Sequence, residues 1–133
     1  MLQNKLYSIE SIDLEGSKDM IKAQIRLDQE HPIFDGHFPD NPILPGVCTV
    51  QIVTELMGSA LGKEFMLTKA SNIKYLGFIS PVLSPVLRFE MILRNLDNGA
   101  VACNTSVLAK DQVVCSFKAE YVTFPKFSSH TPR

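Results

Sequence analysis

Neither sign of charge is in excess here: 13 lysines and arginines stand against 14 aspartates and glutamates in 133 residues. A near-neutral chain without a basic stripe lacks the field that gathers polyanions, so neither nucleic acid nor an anionic membrane is an expected partner. Long apolar runs are missing too, and nothing approaches the roughly 18 consecutive residues of a bilayer-spanning helix. Residues 1–10 carry neither the cationic nor the apolar block of a secretion signal. A soluble, cytoplasmic protein is the expectation. Cysteine is scarce, and Cys48, Cys103 and Cys115 are odd in number and widely spaced. That excludes a disulfide framework and a CxxC zinc site, and leaves reduced, mostly buried thiols.

What the chain does have is an ordinary apolar content of 45% and clean periodicity. Its length suits one domain over residues 1–125, followed by a polar tail over 126–133. Residues 7–14 and 20–28 read as strands, the second alternating Ile21, Ala23, Ile25 and Leu27 with Lys22, Gln24 and Arg26. Gly16 marks the turn between them. Residues 47–61 place apolar side chains around most of a helix, which predicts burial on more than one side. Its polar members Cys48, Gln51, Glu55 and Ser59 recur at spacings of three and four and form one stripe. Strands are predicted again over 70–79, 86–95, 100–109 and 113–124, with hairpin turns at Asp97-Asn98-Gly99 and Lys110-Asp111. The pattern specifies an α+β protein, a curled antiparallel sheet wrapped around one central helix.

The segment from His31 to Gly46 is the chemically suggestive one. Pro32, Pro39, Pro42 and Pro45, with Gly36 and Gly46, set the path of a stiff loop around a single imidazole, His37. The loop runs into a helix N-terminus, where unpaired N–H groups and the helix dipole can polarise a carbonyl oxygen. An imidazole beside a polarised carbonyl is a proton-handling arrangement. His31, six residues before His37 with Asp35 between, is read as a solvated loop residue and not as a metal ligand. Cys48 sits in the first helical turn, where the dipole favours a thiolate, but a small packing residue is the simpler reading.

Phe34-x-Gly36-His37-Phe38-Pro39-x-x-Pro42-x-x-Pro45-Gly46-Val47 resembles the signature of the hot-dog-fold (3R)-hydroxyacyl-acyl-carrier-protein dehydratases of FabZ and FabA type. Lys74-Tyr75-x-x-Phe78-x-x-Pro81-Val82-x-x-Pro85 extends the likeness. The resemblance implies that His37 removes the α-proton of a β-hydroxyacyl thioester. It implies also that the amides around Gly46 and Val47 hold the thioester carbonyl, and that a dimer forms through sheet edges and central helices. The partners would be an acyl carrier protein and a second hot-dog subunit, identical or different, and no metal or organic cofactor is expected. The family's proton-donating carboxylate lies fourteen positions after the histidine, on the helix of the other subunit. Here that position is Gln51, and Glu55 stands one turn later, where the dehydratases often have glutamine. A carboxamide cannot deliver a proton at neutral pH. Three outcomes follow: Glu55 reaches back to act while Gln51 orients the hydroxyl; a partner subunit supplies the acid; or the chain binds acyl thioesters or hydrolyses them.

Overall fold

The structure, a computed structural model, describes residues 1–35 and 41–124. His37 and its neighbours Gly36, Phe38, Pro39 and Asp40 lie outside the described residues, as does the tail expected over 126–133. Alternating sequence produces six strands: β1 (Tyr7–Glu15), β2 (Met20–Leu27), β3 (Phe65–Tyr75), β4 (Val86–Asn95), β5 (Val101–Ala109) and β6 (Gln112–Thr123). A single α-helix, α1 (Gly46–Leu61), follows a short 3-10 turn at Pro32–Phe34. The strands form one antiparallel sheet in the order β1-β2-β4-β5-β6-β3.

The inward faces are those marked by the period of two. Ile21, Ile25, Leu87, Phe89, Met91, Phe117 and Tyr121 are buried and meet Ile52, Val53, Leu56 and Met57 of α1. The sheet thus wraps the helix, as the hot-dog fold requires. Burial of this apolar surface is the main driving force for the arrangement. The hairpins close where the backbone must turn back sharply: Lys110 and Asp111 both take positive φ, the pairing that a tight two-residue turn needs. At the far end of α1, Gly62 adopts the left-handed conformation and its N–H caps the carbonyl of Gly58.

β3 differs from the sequence reading. It begins at Phe65 instead of residue 70 and ends at Tyr75 instead of 79. Two irregularities, between Leu67 and Lys69 and between Ser71 and Lys74, break its alternation. It is an edge strand paired only with β6, and with its register broken twice its burial does not alternate regularly. The segment after it leaves the ladder: the N–H groups of Leu76 and Gly77 share the carbonyl of Val114, and the carbonyl of Ile79 accepts from Leu44. That last bond ties the chain entering α1 to the chain leaving β3.

Candidate functional site

The helix start is built from both of these segments. Pro45 is the N-cap residue, extended at φ −60° and ψ 140°, and its carbonyl accepts from the N–H of Cys48 at 3.0 Å. Gly46 and Val47 then supply first-turn amides, which have no acceptor within the helix. Val47 is 74% exposed, so this end of α1 faces outward. Gly46 is glycine for a spatial reason: a Cβ there would sit 2.6 Å from Cζ and the hydroxyl oxygen of Tyr75. The Tyr75 ring therefore lies directly against the turn proposed to hold a carbonyl, beside a cavity of about 440 Å³ that Leu44, Phe78 and Cys115 also line. Only the place of Tyr75 next to Lys74 in the family-like stretch hinted at it. Tyr75 is 57% exposed, so its ring can swing outward, and Gly46→Ala is expected to displace the ring from the helix start at a cost of less than about 1 kcal/mol. In a Tyr75→Ala background the same change should cost little. A double-mutant cycle from urea unfolding checks this, and additivity would rule the contact out as the cause.

The helical polar stripe divides. Gln51 and Ser59 are exposed, whereas Cys48 and Glu55 are buried, each 5% exposed. Cys48 is a packing residue, since burial pushes its thiol up and away from the reactive thiolate. His31 has a local role: its Nδ1 accepts from the N–H of Ile33 at 3.0 Å and caps the 3-10 turn.

Glu55 is the most heavily bonded side chain of the site. Its Oε1 accepts from the N–H of Gln3 at 2.8 Å and the hydroxyl of Tyr7 at 2.9 Å. Its Oε2 accepts from the N–H of Leu2 at 2.9 Å and from Nε2 of Gln51 at 2.8 Å. Burial alone would raise its pKa, but the bonds from Leu2, Gln51, Gln3 and Tyr7 outweigh burial and hold the carboxyl below the ordinary glutamate range. The Tyr7 hydroxyl is correspondingly pushed up, first by burial and then by Glu55. Glu55 is thus an ionised acceptor with its lone pairs engaged, poorly suited to giving a proton. The i to i+4 spacing made the contact with Gln51 foreseeable. Nothing in the sequence pointed to Leu2 and Gln3, because a backbone donor leaves no mark in residue identity, and the Tyr7 hydroxyl is brought to Glu55 only by the packing of β1 against α1.

Gln51 and Glu55 open onto a cavity of about 780 Å³ between α1 and the start of β3, walled by Val47, Val50, Thr54, Phe65, Leu67 and Phe124. Apolar side chains make up most of its lining, and Thr54, Ser59, Lys63 and Glu64 add polar groups to those of Gln51 and Glu55, the character of a site for a fatty or aromatic chain bearing a polar group. Among the described residues, no helix is long and apolar enough to cross a membrane.

Comparison with known proteins defines the class. The family model for the ApeI dehydratase matches residues 13–118, and the chain belongs to this ApeI-like dehydratase family. It is 26% identical over 122 residues to the 3-hydroxyacyl-[acyl-carrier-protein] dehydratase FabZ of Xanthomonas oryzae, covering 82% of this chain and 78% of that one. The dehydratase heterocomplex ApeI:P of Xenorhabdus doucetiae superposes with a TM-score of 0.66 at 18% identity, over 86% of this chain and 96% of that chain. A putative thioesterase of Lactococcus lactis does so equally well, TM-score 0.66, at 8% identity over 95% and 98%. These structural likenesses establish the shared hot-dog fold.

Proposed function

We propose that this chain is one half of a cytoplasmic dehydratase acting on a 3-hydroxyacyl thioester carried on acyl carrier protein, and that the acid of its reaction comes from a second hot-dog subunit. The observation that carries this reading is the saturation of Glu55 by four donors beside a Gln51 that has no acidic proton. The helix of this chain then contributes binding and orientation, not protonation. Hot-dog thioesterases share the fold, but the loop around His37 is of dehydratase type.

In the reaction, the amides of Gly46 and Val47 hold the thioester oxygen and so acidify the α-carbon. His37 takes the α-proton, its electron pair becomes the carbon–carbon double bond, and the bond to the 3-hydroxyl breaks. A carboxylic acid on the partner's helix gives its proton to the departing hydroxyl, which leaves as water. No electron is gained or lost, and the product is the trans-2-enoyl thioester.

A place for the partner is consistent with the surface. β3 is an edge strand, and Met66, Ile73 and Leu76 are exposed along it and just beyond it. An unpaired apolar edge is normally covered by another chain. The ApeI:P relative is itself a dehydratase heterocomplex, which favours a mixed pair. The test is to follow enoyl thioester formation from a 3-hydroxyacyl carrier substrate, with the chain alone and co-expressed with a hot-dog subunit bearing a helix carboxylate. Activity is expected in the mixture alone, and His37→Ala in this chain should lower it by about 10²–10⁴-fold. Full activity of the chain by itself would overturn the division of labour.

A further inference from the structure

Residues 1–3 are tied to α1 through a single side chain. The main-chain N–H groups of Leu2 and Gln3 donate to Oε2 and Oε1 of Glu55, and among the described residues these are the hydrogen bonds that join the segment to the helix. Met1 lines the cavity between α1 and the start of β3, together with Gln51 and Glu55. Little else holds the segment down, since Met1 is 78% exposed and Leu2 and Gln3 are only half-buried. The fixed part of the chain begins at Leu6 and Tyr7, both fully buried in the core. Between the two parts stands Asn4, at φ 64°, whose N–H donates to the carbonyl of Tyr7. Asparagine tolerates this left-handed conformation, so the chain can fold back there. A segment that buries little and hangs on two hydrogen bonds opens locally, at the cost of those bonds and without disturbing the core.

We infer that residues 1–3 form a lid on the cavity, hinged at Asn4 and latched shut by the two carboxylate oxygens of Glu55. The inference concerns the wall of the cavity and holds whichever subunit supplies the acid. It gives a buried carboxylate that donates no proton a task suited to it, because only a carboxylate offers an acceptor to both N–H groups at once. Bonds to an ionised acceptor are also stronger than neutral ones. Tyr7 from β1 and Gln51 from α1 donate to the same two oxygens and fix their orientation, so the latch is in place before the lid meets it. Closed, the lid sets Met1 against the occupant of the cavity; open, it gives that occupant a way in and out. An apolar chain is the kind of ligand that such a wall retains, and its release is then limited by the latch.

The experiment removes one donor and leaves Glu55 and the cavity side chains as they are. Gln3→Pro has no N–H at residue 3. N-phenyl-1-naphthylamine, a neutral fluorescent probe of apolar cavities, is bound to the full chain, and its dissociation rate is read by stopped-flow dilution. Val50→Phe, which fills the cavity, is expected to abolish binding of the probe. In Gln3→Pro the probe should leave about 10- to 100-fold faster, the scale of one charge-assisted hydrogen bond. Exchange of the Leu2 amide, followed by NMR, should quicken by a similar factor while the amides of Ile25 and Phe89 keep their rates. Should Gln3→Pro fail to fold, Leu2→Pro removes the other donor and the Gln3 amide becomes the reporter. Faster exchange with unchanged dissociation would make the segment a fixed edge of the fold and overturns the inference. So does a Leu2 amide that exchanges in the unaltered chain as fast as in an unfolded one. Failure of the probe to bind, or its retention by Val50→Phe, would mean that the cavity takes no apolar occupant for a lid to hold, and overturns it too.

Discussion

Glu55→Gln is expected to cost about 2–4 kcal/mol of stability at pH 7, the scale of a stranded buried donor plus lost charge-assisted bonds. The reason lies in how the four donors are shared. Each carboxylate oxygen accepts from one main-chain N–H, Gln3 on Oε1 and Leu2 on Oε2. A glutamine has one oxygen. Whichever way its amide turns, an NH₂ group faces an N–H that cannot reverse, even though the Tyr7 hydroxyl and the Gln51 carboxamide can both adapt. The folded-state pKa of Glu55 lies below its ordinary value, so its contribution is complete above the unfolded pKa, roughly 4.3. It disappears as pH falls through the folded value. The gap between wild type and Glu55→Gln in urea unfolding should therefore be wide at pH 7 and narrow toward pH 3. A gap of the same size at both would mean that the charge on Glu55 contributes nothing.

Gln51→Glu has the largest expected effect on chemistry. The new carboxyl would stand where Nε2 now donates to Glu55 at 2.8 Å, so two negative charges would meet at hydrogen-bond distance. Like charges that close do not both persist, and one carboxyl keeps its proton. Glu55 retains the amides of Leu2 and Gln3 and remains ionised, which leaves the proton on residue 51. The substitution thus installs an acid with a raised pKa at the position where the resemblance to the dehydratases would put theirs. We expect the altered chain alone to gain about 10²–10⁴-fold in elimination from a 3-hydroxyacyl thioester. Its rate should follow a bell in pH, rising as His37 loses its proton and becomes a base and falling at higher pH as the proton on residue 51 is lost. Absorbance of the enoyl thioester measured across pH 5–9 reads both features. No gain, or a gain indifferent to pH, would show that position 51 does not face the substrate's hydroxyl.

The two substitutions act on one pair of residues, and that pair shows how far the sequence could be read. Alternation in β2, β4 and β6 was enough to assign their inward faces, since Ile21, Phe89 and Phe117 have no polar alternative on that side of the sheet. β3 was harder because an edge strand has half the pairing constraints, and its irregularities shift the alternation. The exchange of acid and amide at 51 and 55 was visible as residue types, and helical spacing put the two within reach of one another. What residue type left open was the state of the acid. A glutamate in an apolar helix is equally consistent with a raised pKa, which suits an acid, and a lowered one, which does not.

The amino-acid sequence by itself determined the architecture and the residue types of the candidate site: six strand-forming stretches, one apolar helix, a proline-bounded histidine loop, and a glutamine and a glutamate one helical turn apart. These follow from periodicity and residue chemistry, which are local properties. Only the tertiary structure decided what Glu55 does and why residue 46 has no side chain. Leu2 and Gln3 are more than fifty residues from Glu55 along the chain, and they act through main-chain N–H groups common to almost every residue. Tyr75 meets Gly46 because the segment leaving β3 is tied to the one entering α1. Long-range contacts made by the backbone carry no signature in sequence, and it is such contacts that hold Glu55 ionised.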